Sequence, residues 1–209
     1  MHGYMKIPEL KRVCHAMEIS INEYLVSVYI WSVYTECLHG MPSKCPIRVA
    51  VPVNLRPYFN SITTKNFFVM VSAEFHPTKE TYTFAEVAAI VKESLRSQIN
   101  RENLEKLFSY NVSNEKLLIA RVVPLFLKNL AMKYVYTTSA LANTATITNI
   151  GNISVTEEYR PYVEMFHAFL AMSKGQHLKG TICSYGDTLV FSFSYDLVDA
   201  SVQRGFFRK

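Results

Sequence analysis

The chain has 209 residues, 49% of them hydrophobic and 19% charged, with 22 Lys and Arg against 17 Asp and Glu and a formal net charge of +5. That composition provides a sizeable core and excludes a disordered chain. The basic residues are scattered, with no dense run and no aromatic–basic repeat, which argues against nucleic-acid binding. Thirteen Phe and thirteen Tyr favour a sheet-containing protein. Cys14, Cys37, Cys45 and Cys183 are widely spaced and form no CxxC pair, so they read as buried free thiols of a reducing compartment. The first twenty residues contain no apolar signal-peptide core. The most apolar stretch, "LLIARVVPLFLKNLAMKYV", carries Arg121, Pro124, Lys128 and Lys133 and is too charged for a membrane span. A cytoplasmic protein is expected.

In chain order, residues 7–18 predict a short helix. Ser20 and Glu23 form a capping box ahead of a second helix that runs to about Leu38. Its apolar residues Ile21, Tyr24, Leu25, Val28, Tyr29 and Trp31 cover a broad face, so the helix should be packed on more than one side. Gly40 and Pro42 end it. "IRVAVPV" (47–53) predicts a strand, "NLRPYFNSITTKN" a loop and "NFFVMVSAEFHP" (66–77) a second strand. Thr83 and Glu86 make another capping box, and Phe84, Val87, Ala88, Val91 and Leu95 share one face of the helix it starts. Residues 101–110 are expected to extend this helix or to follow it as a short one, and a helix disturbed at Pro124 is expected over 114–134. "NTATITNIG" predicts a strand, and so does "YVEMFHAFLA" (162–171). "GTICSYGDTLVFSFSYD" predicts a hairpin turning near Tyr185–Asp187, with Leu189, Phe191, Phe193 and Tyr195 on one side. A last helix begins near Asp199 or Ala200. The order α, α, β, β, α, α, β, β, β, β, α predicts an α/β two-layer sandwich, a mixed sheet covered by helices, in a single domain spanning 1–209.

Chemistry-bearing signatures are few. There is no GxSxG, P-loop or GxGxxG, and the seven glycines are dispersed. The six histidines never fall at HxH or HxxxH, so no metal site is expected; His167 is the best placed of them and still reads as structural. Arg56 follows a buried strand in "VPVNLRPYFN", where an arginine either grips a carboxylate through a bidentate pair or stays a solvated loop residue. In "TNIGNI", Asn149 and Gly151 end a strand, and the glycine allows a turn or a close backbone approach to a ligand. In "FSFSYDLVDAS", a strand runs into a loop with Ser194, Tyr195, Asp196 and Asp199, but no His, Cys or Lys stands beside them to act as a base.

Taken in order, "ISINEYLVSVYIWSVY", "IRVAVPVNLRPYF", "NFF", "TITNIGNI" and "LVFSFSYDLVDASVQRGFF" resemble the C-terminal half of condensation-domain and alcohol acetyltransferase-like proteins, relatives of chloramphenicol acetyltransferase. The resemblance covers about residues 15–207. It implies a partner half: such proteins are built from two similar halves with the active site in a channel between them. The N-terminal half carries HHxxxDG, whose second histidine is the general base. In this chain Ser194 and Tyr195 stand at the histidine positions, Asp199 keeps the aspartate and Ala200 replaces the glycine, so the stretch reads as a structural remnant. The resemblance also implies that Arg56 faces the other half and that Asn149 and Gly151 lie near the channel. The expected activity is acyl transfer from a thioester of coenzyme A or of a carrier protein to a hydroxyl or amine. The expected partner is an HHxxxDG-bearing half, in the same protein or a separate chain, with self-association when that half is missing. Two alternatives are a non-catalytic binding or scaffold module that keeps the fold, and a short trimeric enzyme, which would need a histidine at Tyr195.

Overall fold

The computed structural model describes residues 1–116, 123–173 and 175–209. One six-stranded mixed sheet organises the described residues. Its strands are β1 (His2–Lys6), β2 (Ile47–Asn54), β3 (Phe68–Phe75), β4 (Ala145–Asn152), β5 (Leu178–Tyr185) and β6 (Thr188–Tyr195), in the order β1-β6-β5-β4-β2-β3. The inner strands β2, β4 and β5 run parallel, whereas β1/β6, β6/β5 and β2/β3 are antiparallel. The helices are α1 (Ile7–Ala16), α2 (Ile21–Glu36), α3 (Arg56–Phe59), α4 (Phe84–Gln98), α5 (Arg101–Lys116), α6 (Leu125–Leu141) and α7 (Ser201–Arg208). This is the predicted mixed sheet with helices on it.

Strand alternation builds the core. Val49 and Val51 of β2, Val71, Ala73 and Phe75 of β3, and Phe191 and Phe193 of β6 all turn to the helix-covered face and are buried. On that face α2 packs against β2, α4 and α7, which explains its broad apolar face: Leu25, Tyr29 and Ile30 are each at most 1% exposed. Full burial of such a side chain contributes roughly 1.5–3 kcal/mol. Both predicted capping boxes are present, at Ser20/Glu23 and Thr83/Glu86. Within α2 the buried hydroxyls of Ser27 and Ser32 donate to the carbonyls one turn back, Glu23 O and Val28 O. The β5–β6 hairpin turns at Gly186 and Asp187, with Gly186 at φ +57°, a conformation that suits glycine.

Three expectations need correction. First, β1 was not anticipated. It is only five residues long and contains a glycine, a weak local signal for a strand, and its pairing with β6 is what defines it. Second, residues 162–171 are not a strand. Glu157–Tyr162 form a 3-10 helix, and the chain then crosses the other face of the sheet without joining a ladder. Third, α5 is a single 16-residue helix from Arg101, and Pro124 stands just before α6 instead of disturbing a helix from within. The rest of the helix expected over 114–134, residues 117–122, lies outside the described residues. The loop after β2 holds the short α3. All four cysteines are free, but only Cys14 and Cys183 are buried. Among the described residues no helix is long and apolar enough to cross a membrane.

Candidate functional site

The parallel strands β2, β4 and β5 all finish at the same end of the sheet, at Asn54, Asn152 and Tyr185. In open α/β sheets ligands favour the crevice outside the carboxyl ends of such strands. A crevice of about 390 Å³ opens there, on the face away from the helices, and Arg56 and Asn149 both line it. Its walls also include Asn54, Lys65, Thr146, Thr148 and Leu170.

Among the described residues Arg56 grips no carboxylate. Its Nε and Nη2 donate to Thr63 O (3.1 and 2.9 Å), Nη2 also to Lys65 O (2.8 Å), and Nη1 to Asn54 Oδ1 (3.3 Å). The guanidinium therefore braces the 54–65 loop that forms one wall. Asn149 donates to Asn22 Oδ1 at the start of α2 (2.8 Å) and accepts from Gly151 N (2.8 Å). Gly151 sits at φ +89° where the β4–β5 register shifts, so a bulge at this point aims the end of β4. Among the described lining residues there is no His, Cys, Asp or Glu. The crevice can orient a polar group through amides, hydroxyls and cations, but among its described lining residues it holds no histidine or carboxylate to serve as a general base.

The segment after the 3-10 helix lies across the open face and is tethered by side chains. Cys183 Sγ donates to Phe166 O (3.1 Å), and Lys179 Nζ donates to Ala171 O (2.8 Å) and Ser173 Oγ (2.5 Å). Lys179 is thereby only 9% exposed, and burial pushes the Cys183 thiol up from its ordinary range. Between these tethers the hydroxyls of the cross-strand pair Thr181 and Ser192 are buried without a hydrogen-bond partner among the described residues. His167 lies on this segment, exposed, with Nε2 3.0 Å from Tyr4 Oη.

Ser194, Tyr195 and Asp199 are not brought to the crevice. Because β6 runs antiparallel to β5, its carboxyl end lies at the opposite end of the sheet. Tyr195 packs against the core. Asp199 accepts from Ser201 N (3.0 Å) and Ser201 Oγ (2.7 Å), bonds that hold its carboxyl below the ordinary range and fix the turn into α7. Next to this loop the sequence reading missed an exposed pair, His177 Nδ1 and Asp196 Oδ1 at 3.0 Å. Two residues 19 apart, one just before β5 and one just after β6, leave no spacing signal.

No family model and no curated protein matches the chain. Solved structures do. Over all of this chain it is similar to the epimerization domain from the third module of tyrocidine synthetase B (TM-score 0.60, 12% identity) and to 46% of that chain. It is also similar to the wax ester synthase/diacylglycerol acyltransferase from Marinobacter aquaeolei VT8 (TM-score 0.52, 14% identity), over 99% of this chain and 46% of that one. For polyketide synthase associated protein 5 from Mycobacterium tuberculosis the TM-score is 0.58 at 11% identity, covering 100% of this chain and 50% of that one. At such identities the similarity defines the fold. The chain has the chloramphenicol acetyltransferase-like α/β fold of condensation domains and acyltransferases. It spans about half the length of these relatives.

Proposed function

We propose that the chain is one half of an acyltransferase of the condensation or alcohol acetyltransferase type, corresponding to the C-terminal half. Its crevice forms one wall of a channel in which an acyl group passes from a thioester to a hydroxyl or amine. The donor is an acyl-coenzyme A or an acyl carrier thioester, and the base comes from an HHxxxDG-bearing half. One observation carries this reading. The crevice at the strand ends has groups to position a substrate but, among its described residues, no histidine and no carboxylate to take the proton. A positioned base typically contributes about 10²–10⁴-fold. In the proposed assembly Arg56 stiffens the wall that faces the partner half, Asn149 and Gly151 shape the channel side of β4, and the Ser194–Asp199 stretch is structural.

The test is an acyl-transfer assay with acetyl-coenzyme A and a panel of alcohols and amines. The chain alone should show no turnover, and adding an HHxxxDG-bearing half encoded next to it should restore transfer. Turnover by the chain alone that Tyr195→Phe or His167→Ala abolishes would overturn the proposal. The serine and tyrosine at the motif's histidine positions also fit a non-catalytic binding module, for which no added half would restore transfer.

A further inference from the structure

A second concavity, of about 900 Å³, lies at the other edge of the sheet and is unrelated to the acyl-transfer crevice. Every residue from Met1 to Lys6 lines it. Alternate strand residues point to opposite faces, so a hollow lined by consecutive residues follows the strand's edge rather than one face. That edge is free. β1 stands at the end of the sheet and pairs only with β6. Met1 and Phe193 exchange both backbone bonds (2.7 and 3.3 Å), and Ile7 N donates to Asp187 O (2.9 Å). In an antiparallel ladder such pairs alternate, so Gly3 and Met5 also bond inward. The amides of His2, Tyr4 and Lys6 therefore turn outward, away from the sheet.

The surroundings of this edge have a defined character. Apolar side chains from three helices, among them Leu10, Val28 and Phe206, form the floor. The charged rim consists of Lys6, Arg12, Arg204 and Arg208 against the single acid Glu9, while the Lys209 ammonium lies over the Phe84 and Trp31 rings (4.7 and 5.6 Å from their centroids). Among the described residues, Lys6, Arg12 and Arg208 have no carboxylate within ion-pair distance, and Arg204 reaches Asp199 only at 3.8 Å.

We propose that β1 accepts an extended acidic peptide segment of a partner protein as a seventh strand. Its backbone bonds to the outward groups of His2, Tyr4 and Lys6. Alternate apolar side chains enter the floor, and its carboxylates meet the basic rim. Main-chain bonds supply affinity in this mode of recognition, and the flanking pockets supply selectivity. Charge decides the occupant. A second copy paired edge to edge would bring two cationic rims together, whereas an acidic strand neutralises one.

The experiment pans phage-displayed random decapeptides on the 209-residue chain and measures the selected peptides by fluorescence anisotropy. The selected pool should be rich in Asp and Glu with alternating apolar residues. Tyr4→Pro removes an outward N–H and should weaken binding on the order of tenfold. Tyr4→Ala, which loses the same side chain but keeps that amide, should bind more tightly than Tyr4→Pro, a comparison that isolates the backbone bond. Arg12→Glu with Arg208→Glu should abolish the acidic preference, with circular dichroism verifying that each variant is folded. The proposal is overturned by a pool without acidic enrichment, or by no selected binder at all. It is equally overturned by undiminished binding to folded Tyr4→Pro, or by a wild-type dimer that Tyr4→Pro dissociates in sedimentation.

Discussion

Glu23 has a side chain only 9% exposed and serves two elements at once. It accepts from Ser20 N (2.6 Å) as half of the α2 cap and from Arg96 Nε (2.7 Å) on α4. Burial alone would raise its carboxyl, but the bonds from Arg96 and Ser20 outweigh it and hold the carboxyl below the ordinary range. With the folded value depressed, the stabilisation is complete above the unfolded value near ~4.3 and fades as pH falls through the folded one. Glu23→Gln should cost about 1–3 kcal/mol in urea melts at neutral pH. The gap to wild type should narrow in acid, and a gap independent of pH would show that the charge plays no part. Two glycines offer a contrast at the same scale. A Cβ on Gly180 would lie 2.7 Å from Phe191 Cζ and 3.1 Å from Ile147 Cγ1, both locked in the core. Gly180→Ala should therefore destabilise by about 1–3 kcal/mol. On Gly205 the Cβ would meet Glu36, 2.9 Å from its Cγ, a side chain able to swing aside. Gly205→Ala also gains helix propensity, so thermal melts should place it within about 0.5 kcal/mol of wild type.

At the level of elements, the two edges of the sheet differ. The outer edge of β3 is covered by α4: Ser72 N donates to Gln98 Oε1 (3.3 Å), Gln98 Nε2 donates to Ser72 O (2.9 Å), and Glu74 N donates to Ser94 Oγ (3.1 Å). A side-chain amide thus takes the place of a neighbouring strand, one way to keep an edge from pairing with other chains. Gln98→Ala should cost about 1 kcal/mol and speed hydrogen exchange at the Ser72 amide. Unchanged exchange there would mean that the cap contributes nothing. Among the described residues the outer edge of β1 has no such cover, which fits the strand addition proposed for it.

Across the whole molecule, exposed apolar surface is concentrated on α6. Leu125, Phe126, Leu130, Met132 and Tyr134 are each at least 65% exposed, and together with the exposed Leu127 and Val135 they fall on all sides of the helix. A helix that is apolar all round is normally enclosed by a larger core. Nothing among the described elements packs extensively on it. The isolated chain should therefore self-associate. Leu130→Glu with Tyr134→Glu should lower the apparent mass in light scattering while changing stability by less than about 0.5 kcal/mol. A wild-type chain that stays monomeric at high concentration would contradict this.

Much of the fold was legible because it rests on local chemistry. The Ser20/Glu23 and Thr83/Glu86 caps join residues three apart, the β5–β6 turn is built at Gly186 and Asp187, and the alternation in β2, β3 and β6 marks a buried side. Periodicity reports that a side is buried but not what covers it. The apolar run at 162–171 therefore read as a strand although it crosses the sheet unpaired, and β1 went unread because its partner lies at the far end of the chain. The candidate site was legible only in part for the same reason. Arg56, Asn149, Tyr195 and Asp199 were all recognisable as polar groups at strand ends, but their relative placement depends on strand direction. With β2 and β4 parallel to β5 and β6 antiparallel to it, the first two residues meet at one crevice and the other two sit at the opposite end of the sheet. Strand direction and order follow from long-range pairing, which no local pattern encodes, so only the tertiary structure could decide them.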